Sequence, residues 1–174
     1  MTKKKLFIVA GLPRAGTTFL YFQLQQHPDI FAPVRKETNY FSVAYDRGME
    51  WYHKLFEGIQ HDQLGMDVTP AYSLDPVSIE RIKDYDPDIK VIMGIRKPSK
   101  LVCSFYDQVN SHSYQVEDFT DFMHHHDWKI SGKIIPLPFS EGWIGQCIRQ
   151  WQEAFGDQLL LYDFELLGKQ PLVV

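Results

Sequence analysis

The sequence predicts a three-layer α/β domain in which helices flank a central, mainly parallel β-sheet. Short apolar runs recur along the chain, each bounded by glycine, proline or polar residues. Segments with helical apolar spacing separate these runs, and strands that alternate with helices build parallel sheets covered on both faces. The chain has 174 residues, 44% of them hydrophobic and 23% charged, so we expect one domain with its own core.

The first predicted strand is the apolar run at 6–10, which a glycine follows. A helix covers 17–26 and stops there, because Pro28 disfavours helix in the residue before it. Residues 36–41 are predicted to form a loop that enters a short helix. A second helix covers 49–56, where apolar residues recur at spacings typical of one helical face.

The middle of the chain continues this alternation. A strand is predicted at 64–68, and the next helix begins after Asp75, a capping residue, with Pro76 at its first position. The apolar run at 89–95 is the third strand. Pro98 then starts another helix.

The segment at 111–138 is polar and lacks periodicity, so we expect most of it to run over the surface. Its three adjacent histidines, at 124–126, cannot all face one point on regular structure, which favours a solvated loop over a metal site. Residues 139–155 are predicted to form an amphipathic helix, and 159–162 the last strand.

Residues 11–18, GLPRAGTT, form a glycine-bearing turn between a strand and the start of a helix. The first amides of a helix have no internal acceptors, so such a turn is suited to an anion. The glycines have the spacing of the phosphate-binding motif GxxxxGK[ST], which indicates a P-loop-type domain. However, Thr17 replaces the lysine, and Arg14 stands within the loop. By itself this loop also fits a generic phosphate site or a tight strand–helix turn.

The segment PRAGTT resembles the 5′-phosphosulfate loop of sulfotransferases that use 3′-phosphoadenosine-5′-phosphosulfate (PAPS), whose usual forms are PKSGTT, PRSGTT and RKGGT. PAPS has no γ-phosphate, which agrees with the absence of the lysine. The resemblance implies a set of cofactor-binding residues along this loop. They are Pro13, Arg14, Ala15, Gly16, Thr17 and Thr18.

A second stretch, IRKPSKLVCSFY at 95–106, resembles the family's 3′-phosphate motif, R-N-P-x-x-R-A-x-S-x-Y. Arg96 and Ser104 occupy the arginine and serine positions, and the resemblance implies that both bind the cofactor. A guanidinium and a hydroxyl together give a phosphate charge and orientation. Without the loop upstream, these two residues would more often be a surface charge and a residue on a helix face.

Three further segments resemble this family, the first two in the forms of its heparan-sulfate and bacterial branches. KETNYF, at 36–41, is similar to KExxFF, and DVTPAY, at 67–72, is similar to E-[KA]-[ST]-P-x-Y. WQEAFGDQLLLYDFE, at 151–165, resembles a late helix–strand–turn segment of the family.

The KExxFF resemblance implies that Glu37 is a general base. Lys36, beside it, is a catalytic candidate that could orient the sulfuryl group or tune Glu37, and it fits a surface lysine equally well. Arg14 is a further catalytic candidate, because the phosphosulfate loop places it to stabilise charge on the leaving phosphate. Glu37 also fits a solvated carboxylate near a helix start. Asp67, Tyr72 and Tyr40 are candidates for the acceptor site. Asp67 could equally cap the turn before Pro70, and aromatic residues at such spacing are more often core.

The resemblance implies a PAPS-dependent sulfotransferase that transfers a sulfuryl group to a hydroxyl or amine of a carbohydrate or small-molecule acceptor, without a metal. A small kinase is a second interpretation, but it requires the missing lysine. A third is a non-catalytic PAPS-binding or scaffold protein. Family domains normally continue into a basic loop that closes over the cofactor, and we expect 1–174 to be a single domain that lacks this segment.

Net charge, the length of the apolar runs and the number of cysteines limit the partners and the location that we expect. The net charge of −4 does not favour nucleic-acid binding, and no run approaches the ~20 apolar residues of a membrane span. The two cysteines indicate reduced thiols in a cytoplasmic protein. The sequence leaves the oligomeric state undetermined.

Overall fold

The computed structural model describes residues 4–112, 118–124, 127–130, 133–136 and 142–167. Its strands are β1 (Leu6–Val9), β2 (Ile30–Phe31), β3 (Leu64–Val68), β4 (Lys90–Ile95), β5 (Asp127–Ile130), β6 (Lys133–Pro136) and β7 (Leu159–Asp163). Five of them form one sheet in the order β2-β3-β1-β4-β7, and every neighbouring pair in it is parallel. The predicted α/β class with a mainly parallel central sheet is confirmed.

Seven α-helices belong to the described residues. They are α1 (Thr17–Leu24), α2 (Gly48–Lys54), α3 (Pro76–Tyr85), α4 (Pro98–His112), α5 (Phe119–His124), α6 (Trp143–Phe155) and α7 (Phe164–Leu167). At the start of α3, the Asp75 carboxylate accepts from the backbone N–H of Val77, and Pro76 occupies the first turn. This is the predicted cap, and it satisfies one of the donors that every helix start leaves open.

β1 lies at the centre of the sheet, with β3 on one side and β4 on the other. In register, Ile8 is paired with both Asp67 and Val91. Parallel strands end at one edge of a sheet, and a ligand crevice forms where the connections diverge to opposite sides. The loops that follow β1, β3, β4 and β7 therefore meet at this edge.

The core lies on both faces of the sheet because alternate residues of a central strand point in opposite directions. From β1, Leu6 and Ile8 face a large cluster that contains Trp151, while Phe7 and Val9 face a smaller cluster under α1. Helices thus cover both faces, which gives the predicted three layers.

The segment at 111–138 contains more regular structure than predicted. α4 extends into it, α5 follows, and β5 pairs with β6 as an antiparallel hairpin. Phe122 is fully buried, and its ring lies 5.3 Å from that of Tyr106. A few aromatic residues anchor α5 to α4, a tertiary effect that the polar local sequence does not reveal.

One smaller difference concerns the shortest strand. β2 was not predicted, because a two-residue strand is too short to show a period. The predicted loop at 36–41 leads through turns at 40–44 into a short 3-10 helix at Tyr45–Arg47, which directly precedes α2. Within the part of the chain that the structure describes, every helix is too short or too polar to cross a membrane.

Candidate active site

The turn after β1 presents the start of α1 to the sheet edge. The Ala10 amide donates to the Ile92 carbonyl at 2.9 Å, which holds the outgoing chain against β4. Gly16 caps α1 through its backbone alone, with no side-chain hydrogen bond. The first intrahelical bond runs from the Leu20 amide to the Gly16 carbonyl at 3.0 Å. The amides of the first turn therefore remain available to an anion.

Gly16 is required at this position for two reasons. Its φ of 82° lies in the left-handed region, where a Cβ is disfavoured. A Cβ there would also overlap the ring of Phe164, at the start of α7. The glycine thus lets an aromatic side chain close directly over the loop.

Arg14 is held in the left-handed region too, with a φ of 66°. Its Nε donates to the Ser104 hydroxyl oxygen at 2.9 Å, and its carbonyl accepts from an Arg96 Nη1 at 2.8 Å. Non-glycine residues adopt this conformation at a cost of about 1–2 kcal/mol, so the surrounding contacts must hold it. Residues predicted to bind opposite ends of the cofactor therefore contact each other directly.

Arg96 is placed between the loop and α7. Its guanidinium lies 4.7 Å from the centre of the Phe164 ring, which leaves the planar edge of the group for hydrogen bonding. Its Nε is buried and has no hydrogen-bond partner among the described residues. A buried donor without a partner is costly, and an anion at this position would satisfy it.

Glu37 lies on the segment after β2 and reaches the same edge beside the end of β3. Its amide donates to the Val68 carbonyl at 3.0 Å, and its φ is 61°. The Lys36 ammonium donates to Glu37 Oε1 at 2.7 Å. The lysine side chain is 19% exposed and the glutamate side chain 44% exposed, so the carboxylate remains open to solvent.

These groups surround one cleft of about 480 Å³. From the predicted site it contains Pro13, Arg14, Gly16, Thr17, Thr18, Glu37, Arg96 and Ser104. Ala15 is buried beneath it, and its carbonyl accepts from the Tyr162 hydroxyl at 2.9 Å. Lys36 contributes to the site through its contact with Glu37.

Four residues of the cleft were not predicted from the sequence. They are Phe19, Pro70, Gln108 and Phe164. Phe164 directly follows β7, as Arg96 follows β4, and residues after parallel strands meet at one edge. That rule is the signal that could have identified it.

The structure does not bring the three candidate acceptor residues to this cleft. Asp67 and Tyr72 are fully buried, and Tyr40 is buried among aromatic rings, stacked 4.3 Å from Tyr52. Burial raises the pKa of Asp67, although hydrogen bonds from four hydroxyl groups oppose the shift. Asp67 is buried because it belongs to β3, an interior strand of the sheet with both faces covered, and the Tyr72 hydroxyl donates to it from the following 3-10 helix.

Within the described residues, no group of three His, Cys, Asp or Glu side chains could hold a metal ion. Of the three adjacent histidines, His125 and His126 lie outside the described residues.

A family model described as sulfotransferase domain matches residues 4–174. The membrane-associated sulfotransferase kil1 of Dictyostelium discoideum is 37% identical over 103 residues, which are 58% of this chain and 22% of that protein. Heparan sulfate glucosamine 3-O-sulfotransferase 6 of Mus musculus is 32% identical over 112 residues, 64% of this chain and 32% of that protein. The chain thus matches between 22% and 32% of the length of these two relatives.

Solved structures show the same fold. A sulfotransferase from Alicyclobacillus acidocaldarius matches 98% of this chain and 77% of its own, with a TM-score of 0.78 at 21% identity. The mouse sulfotransferase SULT7A1, complexed with PAP, matches 98% of this chain and 54% of its own, with a TM-score of 0.59 at 14% identity. At these identities the likeness concerns the fold alone.

Proposed function

The chain belongs to the sulfotransferase domain family, and from that premise we propose that it transfers a sulfuryl group from PAPS to a hydroxyl or amine of a carbohydrate or small-molecule acceptor. One observation carries the proposal. The carboxylate of Glu37 and the anion-binding start of α1 line the same cleft, together with Arg14 and Arg96. An acceptor base and a site for an anionic donor are the two parts that such a transfer requires.

The donor site is proposed to consist of two halves. Amides and hydroxyls at Thr17 and Thr18, with Arg14, would hold the 5′-phosphosulfate, and Arg96 with Ser104 would hold the 3′-phosphate. The residues fit this group, since Arg96 has a buried Nε without a partner among the described residues and the first turn of α1 lacks a side-chain cap. A cleft of about 480 Å³ is also within the range of nucleotide-sized sites.

When bound, PAPS supplies a sulfuryl group that is already attached to a phosphate leaving group. Arg14 and the amides of α1 concentrate positive potential at the loop, which favours the negative charge that develops there during transfer. Because these groups are fixed before the reaction, no reorganisation is needed during it.

Glu37 is proposed to accept the proton that the acceptor hydroxyl loses. Lys36 occupies Oε1, while Oε2 has no hydrogen-bond partner within the described part of the chain. The ion pair fixes the orientation of the carboxylate and leaves its second oxygen for the incoming proton. General acid–base catalysis of this kind contributes about 10²–10⁴-fold to a rate.

The carbohydrate side of the acceptor proposal is supported by relatives named as heparan sulfate glucosamine 3-O-sulfotransferases. The small-molecule side is kept because the solved sulfotransferases that share the fold include a domain from the curacin biosynthetic pathway.

Calorimetry with adenosine 3′,5′-bisphosphate (PAP), AMP, ADP and ATP, each with and without magnesium, tests the donor assignment. We expect PAP to bind without metal and more tightly than ADP, because only PAP places a phosphate at Arg96 and Ser104. Equal binding of PAP and AMP would contradict the assignment, and a magnesium-dependent preference for ATP would indicate a kinase.

Transfer of labelled sulfur from PAPS to a glucosamine-containing oligosaccharide, to a simple phenol and to water tests catalysis. Tight PAP binding without transfer to any of these acceptors would favour the non-catalytic alternative. A Glu37→Gln variant supplies the control, because it keeps the shape of the side chain and removes the base.

A further inference from the structure

Asp67 is a buried carboxyl group in the central sheet that is held by hydroxyl groups alone. Thr38 Oγ1 and the Tyr72 hydroxyl each donate to Oδ2 at 2.8 Å, and the Tyr52 hydroxyl donates to it at 3.0 Å. Thr69 Oγ1 donates to Oδ1 at 2.7 Å. No basic side chain pairs with Asp67 within the described residues. A buried acidic group without a counter-charge is costly, so a role beyond simple packing has to account for it.

The turn that carries Glu37 lies directly above this group and is strained. Glu37 and Asn39 have φ values of 61° and 55°, on either side of Thr38. Two left-handed non-glycine residues this close together persist only where contacts over-determine the backbone. The Asn39 side-chain amide donates to the Glu37 carbonyl at 3.0 Å, which is a contact within the turn and does not tie it to the sheet.

The Glu37 amide ties the start of the turn to β3 through the Val68 carbonyl, and the rest of the turn is linked to the sheet through the hydroxyls that bond Asp67. The Tyr40 amide donates to Thr38 Oγ1 at 3.2 Å, and the Phe41 amide donates to the Tyr72 hydroxyl at 3.3 Å. Thr38 is central to this arrangement, because it lies between the two strained residues and bonds Asp67 through its own side chain. Two backbone amides of the turn, those of Tyr40 and Phe41, are therefore held by hydroxyls that bond the same carboxyl group.

We infer that Asp67 is a positioning residue for Glu37, and that it acts through the Thr38 hydroxyl to hold the strained turn at the edge of the cleft. Asp67 itself makes no contact with the cleft. Its carboxylate fixes the Thr38 hydroxyl, that hydroxyl accepts from the Tyr40 amide, and Glu37 directly precedes Thr38 in the strained turn. The catalytic part of this inference rests on the proposed role of Glu37 as the base.

Three variants separate positioning from general stability. Thr38→Val removes the hydroxyl at nearly constant shape, and Thr38→Ser retains it. Tyr52→Phe is the matched control, because it also removes one hydroxyl donor to Asp67 Oδ2 but has no hydrogen bond to the turn. The Tyr52 ring, which stacks on Tyr40, is kept in that control.

The first measurement is the ratio of amide hydrogen exchange at Asn39 and Phe41, whose amides do not bond Thr38, to that of the β1 amides in the same sample. Thr38→Val should raise this ratio by about tenfold, the equivalent of one lost hydrogen bond, since the turn then opens locally. Thr38→Ser and Tyr52→Phe should leave the ratio near that of the wild type. An unchanged ratio in Thr38→Val, or an equal rise in Tyr52→Phe, overturns the inference. This measurement needs neither PAPS nor an acceptor.

Turnover of labelled PAPS with water as the acceptor is the second measurement, made in the wild type and in Glu37→Gln. Thr38→Val should lower turnover by about tenfold in the wild type, with PAP affinity unchanged, and have little further effect in Glu37→Gln. If Thr38→Val lowers turnover by the same factor in Glu37→Gln as in the wild type, the positioning role of Asp67 is overturned and the proposed base is not affected. Wild-type turnover in Glu37→Gln would instead overturn the base in the proposed function.

Discussion

The Nε of Arg14 donates a hydrogen bond to the hydroxyl oxygen of Ser104 at 2.9 Å, although the two residues are 90 positions apart in the chain. Arg14 belongs to the turn after β1, and Ser104 lies in α4, after β4. An Arg96 Nη1 strengthens the same junction by donating to the Arg14 carbonyl at 2.8 Å. The two halves of the proposed donor site are therefore joined by direct hydrogen bonds in the protein without a ligand.

Ser104→Ala tests this coupling. Loss of the hydroxyl should weaken PAP binding by about 0.5–1.5 kcal/mol, the net value of one hydrogen bond. AMP, which lacks the 3′-phosphate, should be weakened as well, because Arg14 loses the contact that orients it. Calorimetry with both nucleotides measures the effect, and Ser99→Ala, on an exposed position of the same helix, is the control. A loss confined to PAP would show that the two halves act independently.

Arg96→Ala should weaken PAP binding by about 1.5–3 kcal/mol, the range for hydrogen bonds to charged groups. The variant removes a cation whose Nε has no hydrogen-bond partner among the described residues and whose guanidinium lies over Phe164. AMP binding should change less, since it offers no 3′-phosphate. Lys90→Ala, at the opposite end of β4, controls for net charge. Equal losses for PAP and AMP would contradict the proposed 3′-phosphate site.

Glu37→Gln should lower turnover by about 10²–10⁴-fold and barely alter PAP affinity, because an amide of the same shape cannot accept the proton. Turnover is measured with PAPS saturating and chemistry shown to be rate-limiting. Glu50→Gln removes an exposed carboxylate that is paired with Lys54 on α2, and it should have no effect. If Glu37→Gln retained full turnover, Glu37 would not be the base.

The raised pKa of Asp67 predicts that the free energy of unfolding depends on pH. Burial raises the pKa of its carboxyl above the ordinary value, so folding favours the protonated form. The stability that this group contributes is present below its unfolded pKa of about 3.9 and is lost as pH rises through the higher folded value.

Urea unfolding of the wild type and Asp67→Asn, compared from about pH 4 to pH 8, tests this dependence. The free energy of unfolding of the wild type should fall relative to that of the variant as pH rises, since other groups cancel in the difference. A difference that stays constant, or that grows with pH, would contradict the raised pKa.

Local sequence patterns were sufficient for the elements that frame the site. The strand at Leu64–Val68 was predicted at its observed bounds, and the Asp75 cap of α3 was predicted together with its proline. The phosphate loop was recognisable because a strand, a glycine turn and a helix start must follow each other within a few residues. Glu37 lies in the same cleft as that loop, as the KExxFF resemblance implied.

Contacts between distant segments decided the rest. From the sequence alone, Asp67 could line the acceptor site or cap a turn. In the structure it is buried and bonded by four hydroxyl groups from separate segments, those of Thr38, Tyr52, Thr69 and Tyr72. Phe164 belongs to no recognisable sequence motif. It contacts Gly16 of the phosphate loop because β7 ends at the same edge of the sheet as β1. Propensity and spacing act over a few residues, but the energy of a buried carboxyl depends on every group packed around it. The sequence thus determined the chemistry available at the cleft, and the packing of the sheet determined which side chains are exposed in it.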